Sequence, residues 1–478
     1  MEKYKVNSDG MIADVLIDTS STKGYNLTIP ELAPATNALM DSIKREIVSK
    51  VNITFAEILD PKEINNLKSK FVTNAEAILK NKIRDVDENT KSLIIGRLLQ
   101  ETLGLGLIEF LLNDPNIEEV VINSAAEPVR VYHKVYGWLE TNVHVSNEAQ
   151  VLNYSSIIAR RAGRQISTLN PLLDAHLVTG DRANAVLYPV STKGNTITIR
   201  KFSRDPWTVV DLIKNGTGNS EVFALIWLAM EYELNIIVSG ATASGKTSFL
   251  NAITPFIPPN QRVVSIEDTP ELFLPSYLYW SPLIARESNQ EGKGAVEMLD
   301  LLVNSLRMRP DRIIVGEIRT RDQARVLFEA MHTGHSVYST LHANTAAETI
   351  QRLTNPPINV PKNMLEAVNL NVVMFRDRRK GIRRVSQIAE FIINYEKDGV
   401  NAKPEILYLW KPTSDKIEQR AKGDKLYEEI GRHTGMTEAE IKNDLKEKES
   451  FLNKLVKNNI RDINSFGSAV KEYYSNRK

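Results

Sequence analysis

The 478-residue chain contains no cysteine. That absence excludes disulfides, thiolate zinc sites, cysteine nucleophiles and iron–sulfur clusters held by Cys. Long apolar runs are also missing. The most apolar run, VFALIWLAM from Val222 to Met230, is followed by Glu231 and Glu233, whereas a bilayer crossing takes about 20 apolar residues. An excess of one charge is absent too: 60 Lys plus Arg stand against 59 Asp plus Glu. This balance argues against a dedicated duplex-DNA coat. The start, MEKYKVNSDGM, has no hydrophobic signal-peptide core. A cytoplasmic protein is therefore expected, with docking on a membrane through a partner left open. What is present is an ordinary globular composition, 42% hydrophobic and 25% charged. At this length about three domains are expected, with cores that need no metal or disulfide.

The pattern changes along the chain. Residues 1–100 read as mainly helical after a short irregular start. In NALMDSIKREIVSKV, Leu39, Ile43, Ile47 and Val51 fall at helical spacing. Asp87-Glu88-Asn89 opens a second helix with acidic first-turn residues. Residues 101–203 read as an α+β domain. IEEVVIN with EPVRVYH, and ANAVLYPV with GNTITIRKF, are strand pairs flanking a helix near Ala149–Ala162. Pro206 follows, and a hinge is expected from Ser203 to Trp207. From 204 to 412, the buried-strand runs LNIIVSG, RVVSIED, RIIVGEI and SVYSTLH alternate with helical stretches. That alternation predicts a parallel α/β sheet. Residues 413–478 read as a charged helical extension, with a T-x-x-E capping box at Thr437 and Glu440.

The strongest chemical signal is GATASGKT, Gly240 to Thr247. It fits G-x-x-x-x-G-K-[ST], the phosphate-binding loop. Gly240 and Gly245 let the backbone turn so that N–H groups, including those of Thr242 and Ser244, face phosphate. Lys246 brings positive charge to the β- and γ-phosphates. Thr247 offers a hydroxyl to Mg2+, and Ser248 continues a helix whose N-terminus faces the anion. The loop follows a buried strand and opens a helix, the context that the motif requires. ATP and Mg2+ are the expected ligands.

A hydrolase also needs carboxylates for the metal and the attacking water. RVVSIEDTPELF supplies Glu267, Asp268 and Glu271 at the end of one strand. RPDRIIVGEIR supplies Glu317 at the end of another, where Gly316-Glu317 replaces the usual aspartate. Glu317 is then expected on the metal side, through water. Helix capping and arginine pairing are the competing roles for these acids. AMHTGHSVYSTLHANTA holds His332, His335 and His342. A metal site is one reading of that cluster, but His335 and His342 stand at opposite ends of a strand. The pattern favours γ-phosphate sensing by His342. Arg182 and Arg200 lie outside the nucleotide fold and reach a phosphate only across an interface; the other reading is surface charge. Arg319 is a candidate partner for an acid. FRDRRKGIRRV carries six basic residues from Arg376 to Arg384. With no aromatic ladder beside it, a solvated hairpin is favoured over a nucleic-acid groove.

Together GATASGKT, SIEDTPEL, RPDRIIVGEIR and TGHSVYSTLHAN resemble the secretion ATPases of type II and type IV systems, which also power type IV pili and archaella. GLGLIEFLLNDPNIEEVVIN, LDAHLVTGDRANAVLYPVS and ITIRKF resemble the domain that precedes the family's motor. YNLTIPEL, VYGWLETN and the charged tail look most like the archaeal branch. The resemblance implies a RecA-like motor preceded by an α+β domain, ATP bound between them, and a homohexameric ring. It implies roles for Lys246 and Thr247 in binding phosphate and Mg2+, and for Glu267 in activating water. By the same resemblance Glu317 and His342 occupy the second acidic and histidine boxes, and Arg182 and Arg200 are the arginines that reach the nucleotide. The implied partner is a polytopic membrane platform protein, with a pilin-like substrate served indirectly. Many bacterial relatives carry a tetracysteine zinc element, which a chain without Cys cannot form. The alternative function is a DNA-transfer motor of the same fold. Balanced charge weighs against it and makes nucleic acid an unexpected partner.

Overall fold

The computed structural model describes residues 1–19, 24–30, 33–50, 61–83, 86–177, 180–201, 206–286, 288, 293–396 and 399–477. Residues 203–205 of the expected hinge lie outside this set. The chain divides into two compact units, Met1–Ser203 and Arg204–Lys478.

The first unit is built on a nine-stranded sheet. Its strands are β1 (Glu2–Ser8), β2 (Met11–Asp18), β3 (Gly24–Thr28), β4 (Ile117–Ile122), β5 (Arg130–His133), β6 (Gly137–Thr141), β7 (Leu172–His176), β8 (Arg182–Val186) and β9 (Thr196–Arg200). The order is β1-β2-β3-β6-β5-β4-β9-β8-β7. Only the β3–β6 pair is parallel.

The expected irregular start is corrected here: residues 2–8, 11–18 and 24–28 are strands. The reason is alternation. Met11, Ala13, Val15 and Ile17 are buried, while the residues between them are not, which is the period of a half-buried strand. These strands are joined to the rest of the unit. Buried Asp114 accepts hydrogen bonds from the Tyr4 hydroxyl at 2.7 Å and the Tyr25 hydroxyl at 2.8 Å. Residues 1–100 are thus not a separate helical region. The helices Pro34–Lys50, Pro61–Lys82 and Glu88–Thr102 do form a satellite core, around Ile43, Ile47, Phe71, Ala75 and Leu98.

The second unit carries β10 (Ile236–Gly240), β11 (Arg262–Glu267), β12 (Tyr279–Ile284), β13 (Arg312–Val315), β14 (Ser336–Leu341), β15 (Leu370–Asp377), β16 (Ile382–Glu396), β17 (Gly399–Lys411) and β18 (Lys416–Gln419). The order is β12-β11-β13-β14-β10-β15-β16-β17-β18. The pairs from β12 to β15 are parallel and the remainder antiparallel. Every residue of β10, β13 and β14 is buried, as a sheet covered on both faces demands.

Residues 413–478 are corrected as well. The described residues 413–477 are part of the core of the second unit, not an appended extension. The helices Glu438–Lys457 and Ile463–Ser475 close over the helix Ser220–Glu231. Trp227, fully buried, stacks on Phe256 with centroids 4.9 Å apart. Its Nε1 donates to the Tyr474 hydroxyl at 2.8 Å, which donates in turn to the Phe256 carbonyl at 2.7 Å. Lys448, also fully buried, pairs with Glu231 at 2.7 Å and with Asp444. The dense charge of this segment hid an apolar stripe of Ile441, Leu452, Leu455, Phe466 and Val470. No helix among the described residues is long and apolar enough to cross a membrane.

Candidate functional site

Four strand ends converge where β10, β11, β13 and β14 terminate. β10 runs into the loop Gly240–Lys246 and then the helix Lys246–Ile253. Behind the loop, the Ser239 hydroxyl accepts hydrogen bonds from Thr349 Oγ1 at 2.9 Å and Asn371 Nδ2 at 2.8 Å. That buried network fixes the strand end. Gly240 has no room for a side chain: a Cβ would lie 2.4 Å from Ser244 Oγ and 2.7 Å from the Met374 carbonyl. Gly245 adopts φ +92° as the helix N-cap, a left-handed conformation that glycine takes without strain. Its missing side chain leaves the first helical N–H groups open to an anion. Ser244 Oγ is buried and has no hydrogen-bond partner in the structure. An orphaned donor inside a glycine-framed loop fits a phosphate chain.

Lys246 is only 8% exposed. Its Nζ donates to the carbonyls of Gly240 at 3.1 Å and Ala241 at 3.2 Å, and lies 3.4 Å from His342 Nδ1. Burial pulls its pKa below the ordinary lysine value, against the pull of Glu317 and Glu271.

Beyond β14, His342 Nε2 stands 2.9 Å from Glu317 Oε1. Glu317 Oε2 accepts from Arg319 Nε at 2.8 Å, and Arg319 also pairs with Asp268. The Gly316–Glu317 turn is held by Thr340, whose hydroxyl donates to the Gly316 carbonyl at 2.6 Å while its carbonyl accepts from Ile318 N at 3.0 Å. Burial, followed by the charge of Lys246, lowers the His342 pKa. A neutral ring with its proton on Nε2 suits both neighbours. It donates to Glu317 and accepts from Lys246.

Glu267 closes β11 at 3% exposure. Its Oε1 accepts the N–H groups of Glu271 at 2.9 Å and Leu272 at 3.1 Å. Burial outweighs those bonds and raises the carboxyl to about 7. A Cβ on Gly316 would lie 3.6 Å from Glu267 Cγ, so the two acidic boxes are side by side.

The structure thus brings Gly240, Thr242, Ser244, Gly245, Lys246, Thr247, Ser248, Glu267, Glu317 and His342 to one end of the sheet. Arg182 and Arg200 belong to the first unit, directly opposite one another across β8 and β9. Arg182 Nε donates to Asp174 Oδ1 at 2.9 Å, which holds that carboxyl below its ordinary range. Among the described residues, no three His, Asp or Glu side chains gather to chelate a metal. Sequence reasoning missed Asn251, whose Oδ1 accepts Phe273 N at 2.9 Å and ties the loop helix to the acidic box. It also missed Asn371. Polar residues inside otherwise apolar elements were the available signal for both.

Comparison with known proteins adds a second line of evidence. Residues 107–421 match the family model described as type II/IV secretion system protein. An uncharacterized protein of Methanocaldococcus jannaschii is 38% identical over 403 residues, covering 82% of this chain and 72% of its own length. Type IV secretion system protein VirB11 of Bartonella quintana is 27% identical, covering 54% of this chain and 82% of its own. Among solved structures, the VirB11 ATPase of Brucella suis in complex with sulphate is 26% identical. It covers 58% of this chain and 90% of that one, with a TM-score of 0.30.

Proposed function

Because this chain belongs to the type II/IV secretion system protein family, and its second unit is a RecA-like phosphate-loop motor, we propose that it is a Mg2+-dependent ATPase. It works as a homohexamer at the inner face of the membrane. It drives protein secretion, or assembly of a type IV pilus-like or archaellum filament, through a polytopic platform protein, moving pilin-like subunits indirectly. Similarity to the M. jannaschii protein over most of the chain favours the archaeal branch.

The observation that carries this reading is the continuous chain Lys246–His342–Glu317–Arg319–Asp268. It links the phosphate loop to both acidic boxes. Lys246 has the carbonyls of Gly240 and Ala241 and the His342 ring within reach. A γ-phosphate competes for the same cation, so its presence is felt at His342 and then Glu317. Glu267, near neutrality, takes the proton of the attacking water as general base. Thr247 and, through water, Glu317 hold Mg2+, which supplies neutralising charge when bound. Both Glu317 oxygens already have partners, which suits the indirect role. Arg182 and Arg200 supply phosphate-directed charge from the first unit.

Phosphate release against protein concentration, with mass photometry in ATP, tests the reading. Wild-type hydrolysis should rise as hexamers form, and Glu317→Gln should lower it sharply. Full hydrolysis by monomers would overturn the ring mechanism.

A further inference from the structure

On the flank of the phosphate loop away from His342 stands the β15–β16 hairpin. β10 lies between β14 and β15. The loop therefore has the His342–Glu317 pair on one side and this hairpin on the other. β15 runs parallel to β10 with Met374 opposite Gly240, so its C-terminal end and the hairpin turn are at the phosphate end of the sheet.

The hairpin is a built element. Asp377 Oδ1 accepts Arg379 N at 2.8 Å and Lys380 N at 3.2 Å, closing the turn. Arg384 is buried and grips Asp415 with two hydrogen bonds of 2.7 Å, while its Nη1 donates to the Asn215 carbonyl at 3.0 Å. The ring of Phe375 packs against Trp410 at 5.2 Å.

Register then decides where the next arginine points. Met374 pairs with Val385, and Arg376 pairs with Arg383. These four residues share one face, because side chains two apart on a strand point the same way. Met374 and Val385 sit in the core that also holds Phe249 and Leu250 of the loop helix. Arg383 therefore projects along the loop helix toward its N-terminus. A Cβ on Gly245 would meet Arg383 Cδ at 3.2 Å and Nε at 3.7 Å. The guanidinium stem lies against the residue whose N–H opens the anion site.

We propose that Arg383 is a nucleotide-binding residue of the same chain, contacting the α- and β-phosphates that ATP and ADP share. This rests on the nucleotide reading above. Because Arg383 approaches from the side away from His342 and Glu317, it does not discriminate by the γ-phosphate. It strengthens both nucleotides alike. A charge-assisted hydrogen bond of this type corresponds to about 10- to 100-fold in affinity.

Calorimetric titration of ADP, and of ATP in the Glu267→Gln background, tests it with the full chain. Arg383→Ala should weaken both by the same factor, about tenfold or more, with KM for ATP rising in proportion. Arg383→Lys should lie between, because a point charge remains without the planar fork. Arg378→Ala, on the exposed turn, should bind as wild type, and thermal melts should show all variants folded. Normal ADP affinity in both Arg383 variants, while Lys246→Ala loses binding, overturns the proposal. So does equal weakening by Arg378→Ala, which would mean diffuse charge. Normal binding by Lys246→Ala overturns the nucleotide reading itself, and this one with it. Loss confined to ATP would overturn the assignment to the shared phosphates.

Discussion

His342 and Glu317 face one another across 2.9 Å, from Nε2 to Oε1, at the ends of adjacent parallel strands. The histidine has its pKa pulled below the ordinary value by burial and by Lys246 on its other nitrogen. It is therefore a connector between the loop lysine and the second acidic box.

Residues that act as one unit lose function together. His342→Ala and Glu317→Gln should each lower turnover, and the double variant should be little worse than Glu317→Gln alone. Single-turnover ATP hydrolysis of the four proteins measures this. Multiplicative losses would separate the two residues.

Glu267 should set the acid limb of the pH–rate profile. Burial raises its carboxyl from 4.5 to about 7. Turnover should rise with pH through about 7 as the base ionises, and Glu267→Gln should lower it about 100-fold or more. Stability runs the other way. The folded chain binds this proton more tightly than the unfolded one, so the Glu267 contribution falls as pH rises from 4.5 to about 7. At pH ~8, Glu267→Gln should melt above wild type, by roughly 1–3 kcal/mol at about 1.4 kcal/mol per pKa unit. A lower melting temperature at that pH, with the low-pH value unchanged, would contradict the burial argument.

Arg182→Ala should leave ATP binding largely intact and depress turnover by about tenfold or more, since charge at the transferring phosphate acts mainly in the transition state. Asp174→Ala removes the hydrogen bonds between Arg182 and Asp174 and controls for local disturbance. Unchanged turnover in Arg182→Ala would remove the first unit from the chemistry.

The C-terminal helices should be needed for folding. Trp227→Ala empties a fully buried aromatic site, at about 3–5 kcal/mol. Lys448→Ala takes the buried cation from Asp444 and Glu231, which keep Arg477 at 2.6 Å and 4.0 Å, at a smaller cost of about 1–3 kcal/mol. Denaturant titration of both variants checks this. Losses below about 1 kcal/mol would return the segment to the status of an appendage.

The phosphate loop and acidic boxes were legible because their chemistry constrains several consecutive residues beside a buried strand. Glu317, His342 and Glu267 could be named before any coordinates, but their mutual contacts could not. Those depend on which strands become neighbours, and parallel order is not written locally. Residues 2–28 were misread because a charged, alternating strand resembles a polar segment until one asks which positions are apolar. The tail failed for a related reason: its apolar stripe is sparse, and Trp227, the residue it covers, lies more than two hundred positions earlier. The place of Arg383 beside Gly245 is not legible in FRDRRKGIRRV, because only the register of β15 and β16 sets it.

Trp227 lies on the helix that leads directly into β10 and the phosphate loop, yet Phe451, Tyr473 and Tyr474 complete its surroundings. Synthesis proceeds in the opposite sense. The strand that cradles phosphate leaves the ribosome long before the residues that shield the helix behind it. A nascent chain halted after residue 412 would carry every residue of GATASGKT and both acidic boxes, with Trp227 and Phe256 stripped of their cover. Such a fragment presents apolar surface to chaperones and proteases instead of a finished nucleotide pocket.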